Sequence, residues 1–165
     1  MTRVYLSIGS NIDRERNIRG GLEALERDFG PLMLSPVYES EAVGFEGEPF
    51  FNLVVGLDTE LSVGELAARL HEIEVQHGRV RHERKFSSRT LDIDILTRGD
   101  AVGEFDGVKL PRDEILKHAF VLLPLADLAP DDRHPELGIS YRQLCERKAF
   151  QGQRLWKVDF PVPAS

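Results

Sequence analysis

Two carboxylates, Asp92 and Asp94, stand two residues apart in the stretch RTLDIDIL, residues 89–96. Leu91, Ile93 and Ile95 alternate there with Thr90, Asp92, Asp94 and Leu96, which predicts a strand over Ser87–Leu96. Alternate residues of a strand share a face, so the two aspartates are neighbours at roughly 6–7 Å, twice the rise per residue. Like charges that close repel, and Asp is a poor strand former. Divalent cations would resolve the conflict. Mg²⁺ prefers oxygen ligands, keeps several waters, and binds through one or two carboxylates plus substrate phosphates. Two metals about 3.5–4 Å apart clamp the oxygens of an in-line phosphoryl displacement. Asp-x-Asp alone is a weak signal, since many solvated surface strands carry it.

The segment just before it strengthens the case. RVRHERKFSSR, Arg79–Arg89, holds five Lys/Arg against one Glu, a local +4 on a chain of net charge −7. A basic island on an acidic protein suits a compact polyanion such as a nucleoside polyphosphate. Standing alone, the island reads equally well as a solvated basic loop. Together, carboxylates for metal and guanidinium groups for phosphate form one set suited to phosphoryl chemistry. Nucleic-acid binding is not expected, because it favours a broadly basic face.

Other chemistries lack their motifs. There is no G-x-x-x-x-G-K-[ST] loop and no G-x-G-x-x-G fingerprint. His71 and His77 have no third ligand at zinc spacing, and no G-x-S-x-G elbow is present. The single cysteine, Cys145, cannot form an internal disulfide; a structural role and a reducing compartment are expected. No apolar run reaches the roughly 18–20 residues that cross a bilayer, so no membrane partner is expected. The opening MTRVYLSIGSN has no apolar signal core, and a cytoplasmic location is the expectation.

The 165 residues, 41% hydrophobic and 30% charged, are enough for one domain with its own core, taken as 1–165. A strand at Arg3–Asn11 carries Val4, Leu6 and Ile8 on one face. A helix follows over Arg14–Phe29, with Ile18, Leu22, Leu25 and Phe29 as its stripe, and Gly30-Pro31 ends it. LMLSPVYES is a second strand interrupted by Pro36 and placed near a sheet edge, and Phe50–Thr59 is a third. Ser62 and Glu65 form a capping box for a helix with Leu66, Ala67, Leu70 and Ile73 inward and Gly78 as its C-terminal cap. After the Asp-bearing strand come a hairpin or loop at 101–111, a helical turn at Asp113–Lys117 and the apolar run AFVLLPLADLAP. A helix at Ser140–Arg147 and a strand in RLWKVDF close the series. The order β-α-β-β-α-β predicts an α+β, ferredoxin-like fold: an antiparallel sheet with its two main helices on one side and the opposite face free for a cleft.

YLSIGSNI, FFNLVV, IEVQHGRVR, RTLDIDIL and FVLLPLADLAP, in that order along nearly the whole chain, resemble the 6-hydroxymethyl-7,8-dihydropterin pyrophosphokinase family. RTLDIDIL after GRVR is the most specific block. The resemblance implies transfer of pyrophosphate from ATP to a pterin alcohol in folate biosynthesis, with ATP as co-substrate. Small-molecule substrates are then the expected partners, with the oligomeric state open and a monomer favoured. It implies that Asp92 and Asp94 hold two Mg²⁺ ions, and that Arg79 and Arg89 stabilise the transferring group. His71 and Glu74, with Arg81, Arg84, Arg112 and His118, would form the nucleotide side. Gly9, Ser40, Val43, Phe50, Asn52 and Phe120 would form the pterin side. Core packing for Phe50 and Phe120, and a turn cap for Asn52, are the plain alternatives.

Several positions depart from the family pattern. Arg112 stands where histidine is usual and His118 where arginine is frequent, as if the two charges were exchanged. Phe86 replaces a common tryptophan, Ser87-Ser88 a Gly-Pro, and His71 a glutamine; ESEAVG replaces a proline-bearing loop. These changes point to retuned ATP binding. They also leave open a second reading, a pterin- or nucleotide-binding relative with weak or no catalysis.

Overall fold

The protein was analysed as a computed structural model that describes residues 1–41, 48–78, 90–148, 150 and 153–160. Five elements open the chain: β1 (Thr2–Ser10), α1 (Arg14–Phe29), the short β2 (Met33–Leu34) and β3 (Val37–Ser40), and β4 (Phe50–Thr59). They continue into α2 (Val63–Gln76), β5 (Asp92–Arg98), β6 (Gly103–Phe105), β7 (Val108–Leu110), α3 (Glu114–Lys117), α4 (Ala119–Leu128), α5 (Tyr141–Arg147) and β8 (Leu155–Val158).

The main sheet runs β5-β1-β4-β3-β8, with β2 beside β4 and every pairing antiparallel. Leaving out β8, the order of the four predicted strands is that of the ferredoxin-like fold. Pro36 splits the second strand as its missing N–H requires. Ser35 bridges the break: its N–H donates to Val54 O at 2.9 Å and its Oγ accepts from Val54 N at 2.8 Å. β8 then covers β3, so the outermost strand on that side is β8.

One face of the sheet is covered as expected. Ile18, Leu22 and Leu25 of α1 and Leu66, Leu70 and Ile73 of α2 bury against Val4, Leu6, Ile8, Leu53, Val55, Ile93 and Ile95. The capping box at α2 is complete, with Ser62 Oγ accepting from Glu65 N at 3.2 Å and Glu65 Oε1 from Ser62 N at 3.0 Å.

The opposite face corrects the sequence reading. It is not free, because α4 and α5 pack on it: Val121, Leu122, Leu125, Tyr141 and Leu144 bury against Tyr5, Val54 and Leu96. The apolar run 119–130 supplies α4, which ends at Leu128 and has Pro124 inside it. Its physical reason is plain: Tyr5, Val54 and Leu96 are apolar surface that water would otherwise wet. Farther along this face, Phe50, Asp92 and Asp94 are half-buried, while Gly9 and Asn52 are buried.

Candidate functional site

Strand register assembles the site. Gly9 pairs with Asn52 on one side and with Asp92 on the other, while Ser7 pairs with Asp94 and Tyr38 with Asn52. Leu91, Ile93 and Ile95 point into the core shared with α1 and α2, whereas Leu96 joins the other cluster. Asp92 and Asp94 therefore share the face of Leu96, as the alternation predicted, and both are half-buried. The strand itself spans Asp92–Arg98, two residues past the expected end. An irregularity beside Tyr5/Leu6 leaves Leu96 as the extra residue between Ile95 and Thr97.

At the pterin-side positions, polar groups are already engaged. Asn52 is buried and its Nδ2 donates to Ser40 Oγ at 2.9 Å, so it caps no turn. A Cβ added at Gly9 would meet Asn52 Oδ1 at 2.8 Å and Phe50 Cδ1 at 3.6 Å, which makes Gly9 the floor on which Asn52 lies. Phe50 belongs to neither apolar cluster. Phe120 does pack beside the α4 cluster, half-buried, with its ring stacked on His118 at a centroid distance of 4.7 Å and 17°. Val43 lies outside the described residues.

Three of the nucleotide-side positions, His71, Glu74 and Arg112, line a recess of about 220 Å³ together with Asp94 and Val108, among others. Arg112 Nη2 lies 3.2 Å from Asp94 Oδ1, and its Nε 3.0 Å from Glu114 Oε2. His71 Nδ1 is 3.5 Å from Glu74 Oε1. Glu74 borders the recess but turns inward: it is 5% exposed, and its Oε2 accepts the Ile93 N–H at 2.8 Å. β5 is an edge strand, and Glu74 satisfies the backbone donor that lies between the two aspartates. His118 is held at the start of α4 with Phe120, away from the lining of the recess. Arg79, Arg81, Arg84 and Arg89 fall outside the described residues, as do Phe86 and Ser87-Ser88.

The electrostatics fit a hard cation. Burial first, and then the neighbouring Asp92 charge, push the Asp94 carboxyl up to about 7, against the pull of Arg112. Two acidic groups so placed are stabilised by a cation beside them. Among the described residues no group of three or more His, Cys, Asp or Glu could enclose a metal. Oxygen-only donors from two carboxylates suit Mg²⁺, which completes its shell with water and phosphate, rather than zinc.

Ser7 escaped the sequence reading. It shares the face of the aspartates, beside Asp94, and is half-buried. Counting back by two from Gly9 was the available signal. Among the described residues no helix is long and apolar enough to cross a membrane.

Comparison with known proteins points one way. Residues 5–130 match the family described as 7,8-dihydro-6-hydroxymethylpterin-pyrophosphokinase. A Pseudomonas aeruginosa 2-amino-4-hydroxy-6-hydroxymethyldihydropteridine pyrophosphokinase is 41% identical over 154 residues, covering 91% of this chain and 94% of that one. The Aquifex aeolicus protein of the same name is 36% identical over 137 residues, 82% and 85% of the two chains. Among solved structures, wild-type Plasmodium falciparum HPPK-DHPS with SDX-DHP superposes with a TM-score of 0.69 at 15% identity. It covers 89% of this chain, which spans 43% of that longer one. That likeness speaks for the fold alone.

Proposed function

The chain belongs to the 7,8-dihydro-6-hydroxymethylpterin-pyrophosphokinase family, and from that premise we propose that it transfers pyrophosphate from ATP to 6-hydroxymethyl-7,8-dihydropterin, a step of folate biosynthesis. The observation that carries this reading is the shared register of Asp92, Gly9 and Asn52 on one sheet face. It sets a carboxylate pair suited to a metal–triphosphate beside the Asn52 amide, a polar group suited to the edge of a flat heterocycle.

In the reaction the hydroxymethyl oxygen attacks the β-phosphorus, and the bond from that phosphorus to the α,β-bridging oxygen breaks. AMP leaves with the electron pair, the alcohol proton passes to solvent, and the pterin gains a diphosphate. Positioning and charge stabilisation are the main requirements in such transfers.

Asn52 offers its amide, held by Ser40, to the polar edge of the pterin, and Gly9 leaves the room in which that amide lies. Phe50 and Phe120 flank it. Arg112 and His71 face the triphosphate, and Glu74 keeps β5 in register through the Ile93 N–H. Mg²⁺ held by Asp92 and Asp94 would neutralise phosphate charge and polarise the attacking alcohol. The basic segment 79–89 is assigned the remaining phosphate contacts, with Arg79 and Arg89 at the transferring group.

The test is product analysis after incubation with ATP, Mg²⁺ and the pterin alcohol. AMP and pterin diphosphate in equal amounts are expected; ADP, or no pterin product, would refute the assignment. The Arg112–Asp94 ion pair favours one alternative, a pterin-binding relative without turnover. That reading is adopted if pterin binds normally and no AMP forms.

A further inference from the structure

Building on the metal assignment above, we propose that Arg112 is a resident counter-cation. It holds Asp94 in the substrate-free protein and yields that carboxylate to the divalent ion when the triphosphate arrives, so that metal and nucleotide bind cooperatively.

The geometry supports each part. The Arg112 N–H donates to Leu96 O at 2.9 Å, which fixes its backbone against β5, two residues beyond Asp94. The guanidinium is divided between two carboxylates, Asp94 at 3.2 Å and Glu114 at 3.0 Å. Asp94, whose Oδ1 it touches, shares a strand face with Asp92. A metal ligand at Asp94 and an arginine at the same oxygen compete for one lone-pair region, and a dication repels the guanidinium besides.

Arg112 and Asp94 are both about one-third exposed, so the ion pair is solvated enough to exchange. A planar fork of donors also matches phosphate oxygens, which gives the displaced guanidinium a better partner than water. The consequence is a coupling: nucleotide removes the competitor from Asp94, and metal frees the competitor for the nucleotide.

Mn²⁺ titration of the nucleotide-free protein, read from the electron paramagnetic resonance of free Mn²⁺, tests this without turnover. Arg112→Gln should bind Mn²⁺ roughly tenfold more tightly than wild type, the scale of one relieved charge contact near a protein surface. Lys109→Gln should stay within about twofold of wild type, since Lys109 pairs with Asp113 at 3.3 Å and touches neither strand aspartate. With α,β-methylene-ATP present, wild type should gain more Mn²⁺ affinity than Arg112→Gln gains. Arg112→Lys, which keeps the charge but loses the fork, should lie between. Unfolding curves of each variant confirm the fold.

Equal or weaker Mn²⁺ binding by Arg112→Gln would overturn the proposal. So would equal tightening by Lys109→Gln, which would reduce the effect to net charge. Unchanged Mn²⁺ binding in Asp94→Ala is a different failure, because it would remove the metal assignment itself.

Discussion

At the Gly9–Asn52 end of the open face, polar groups are buried and already partnered: Asn52 donates to Ser40, and its Oδ1 lies over Gly9. At the Asp92–Asp94 end the carboxylates are half-buried, and Arg112 is shared between Asp94 and Glu114. The first end has its hydrogen bond in place before any ligand arrives. The second is held by exchangeable ion pairs. A neutral heterocycle is recognised by fixed hydrogen bonds, which lose little entropy on binding when they are preformed. A metal–triphosphate brings its own charge, so the protein must hold a counter-charge until it comes.

The largest effect that would sharpen this contrast lies at the charged end. Asp92→Ala and Asp94→Ala should each lower kcat by about 10³-fold, the scale lost with one electrostatic group at a reacting centre. Pterin affinity in equilibrium titration should stay near wild type. Full activity in either variant would break the comparison.

At the partnered end, Asn52→Ala should weaken pterin binding by roughly 10- to 100-fold, as expected for losing a buried hydrogen-bonding group. Nucleotide affinity should not follow it. A matching loss of both affinities, measured by calorimetry, would show that the two ends are not separate.

Glu74 links the ends to the scaffold. Glu74→Ala leaves the Ile93 N–H without its partner and should cost about 1–3 kcal/mol in urea unfolding. Glu74→Gln keeps an acceptor and should restore most of that stability. A Gln variant as unstable as Ala would mean that the carboxylate charge, not the hydrogen bond, carries the effect.

The smallest effect concerns pH. Burial and Asp92 raise the Asp94 carboxyl to about 7 in the folded protein, from an ordinary value of 3.8. The folded state therefore holds a proton that the unfolded chain releases between those values. In metal-free buffer this contribution favours folding fully below about 4 and is lost as pH rises through about 7. Asp94→Asn should raise Tm slightly at pH 8 and leave it unchanged at pH 4. A gain confined to pH 4 would reverse the sign and refute the assignment.

The fold was legible where periodicity is strong. Ile18, Leu22 and Leu25 mark one helix stripe, Ser62 and Glu65 its neighbour's start, and the alternation around Ile93 fixed the face of both aspartates. The second layer of helices was not legible. α4 is apolar at every position but Asp127 and contains Pro124, so no period distinguishes a buried helix from a strand or loop there.

The site followed the same rule. Gly9, Asn52, Asp92 and Asp94 meet because strand register is regular. Arg112 meets Asp94 across 18 residues, through the β6–β7 hairpin and the turn after it, and spacing alone cannot foresee that contact. Sequence likewise marks Glu74 as polar but does not show that its carboxylate is spent on a backbone N–H.

The most direct measurement is anomalous diffraction from crystals grown with Mn²⁺, α,β-methylene-ATP and the pterin alcohol. Manganese peaks bound by both Asp92 and Asp94, with the pterin ring against Asn52, are the predicted result. Peaks elsewhere, or aspartates facing solvent while the nucleotide is bound, would contradict the account.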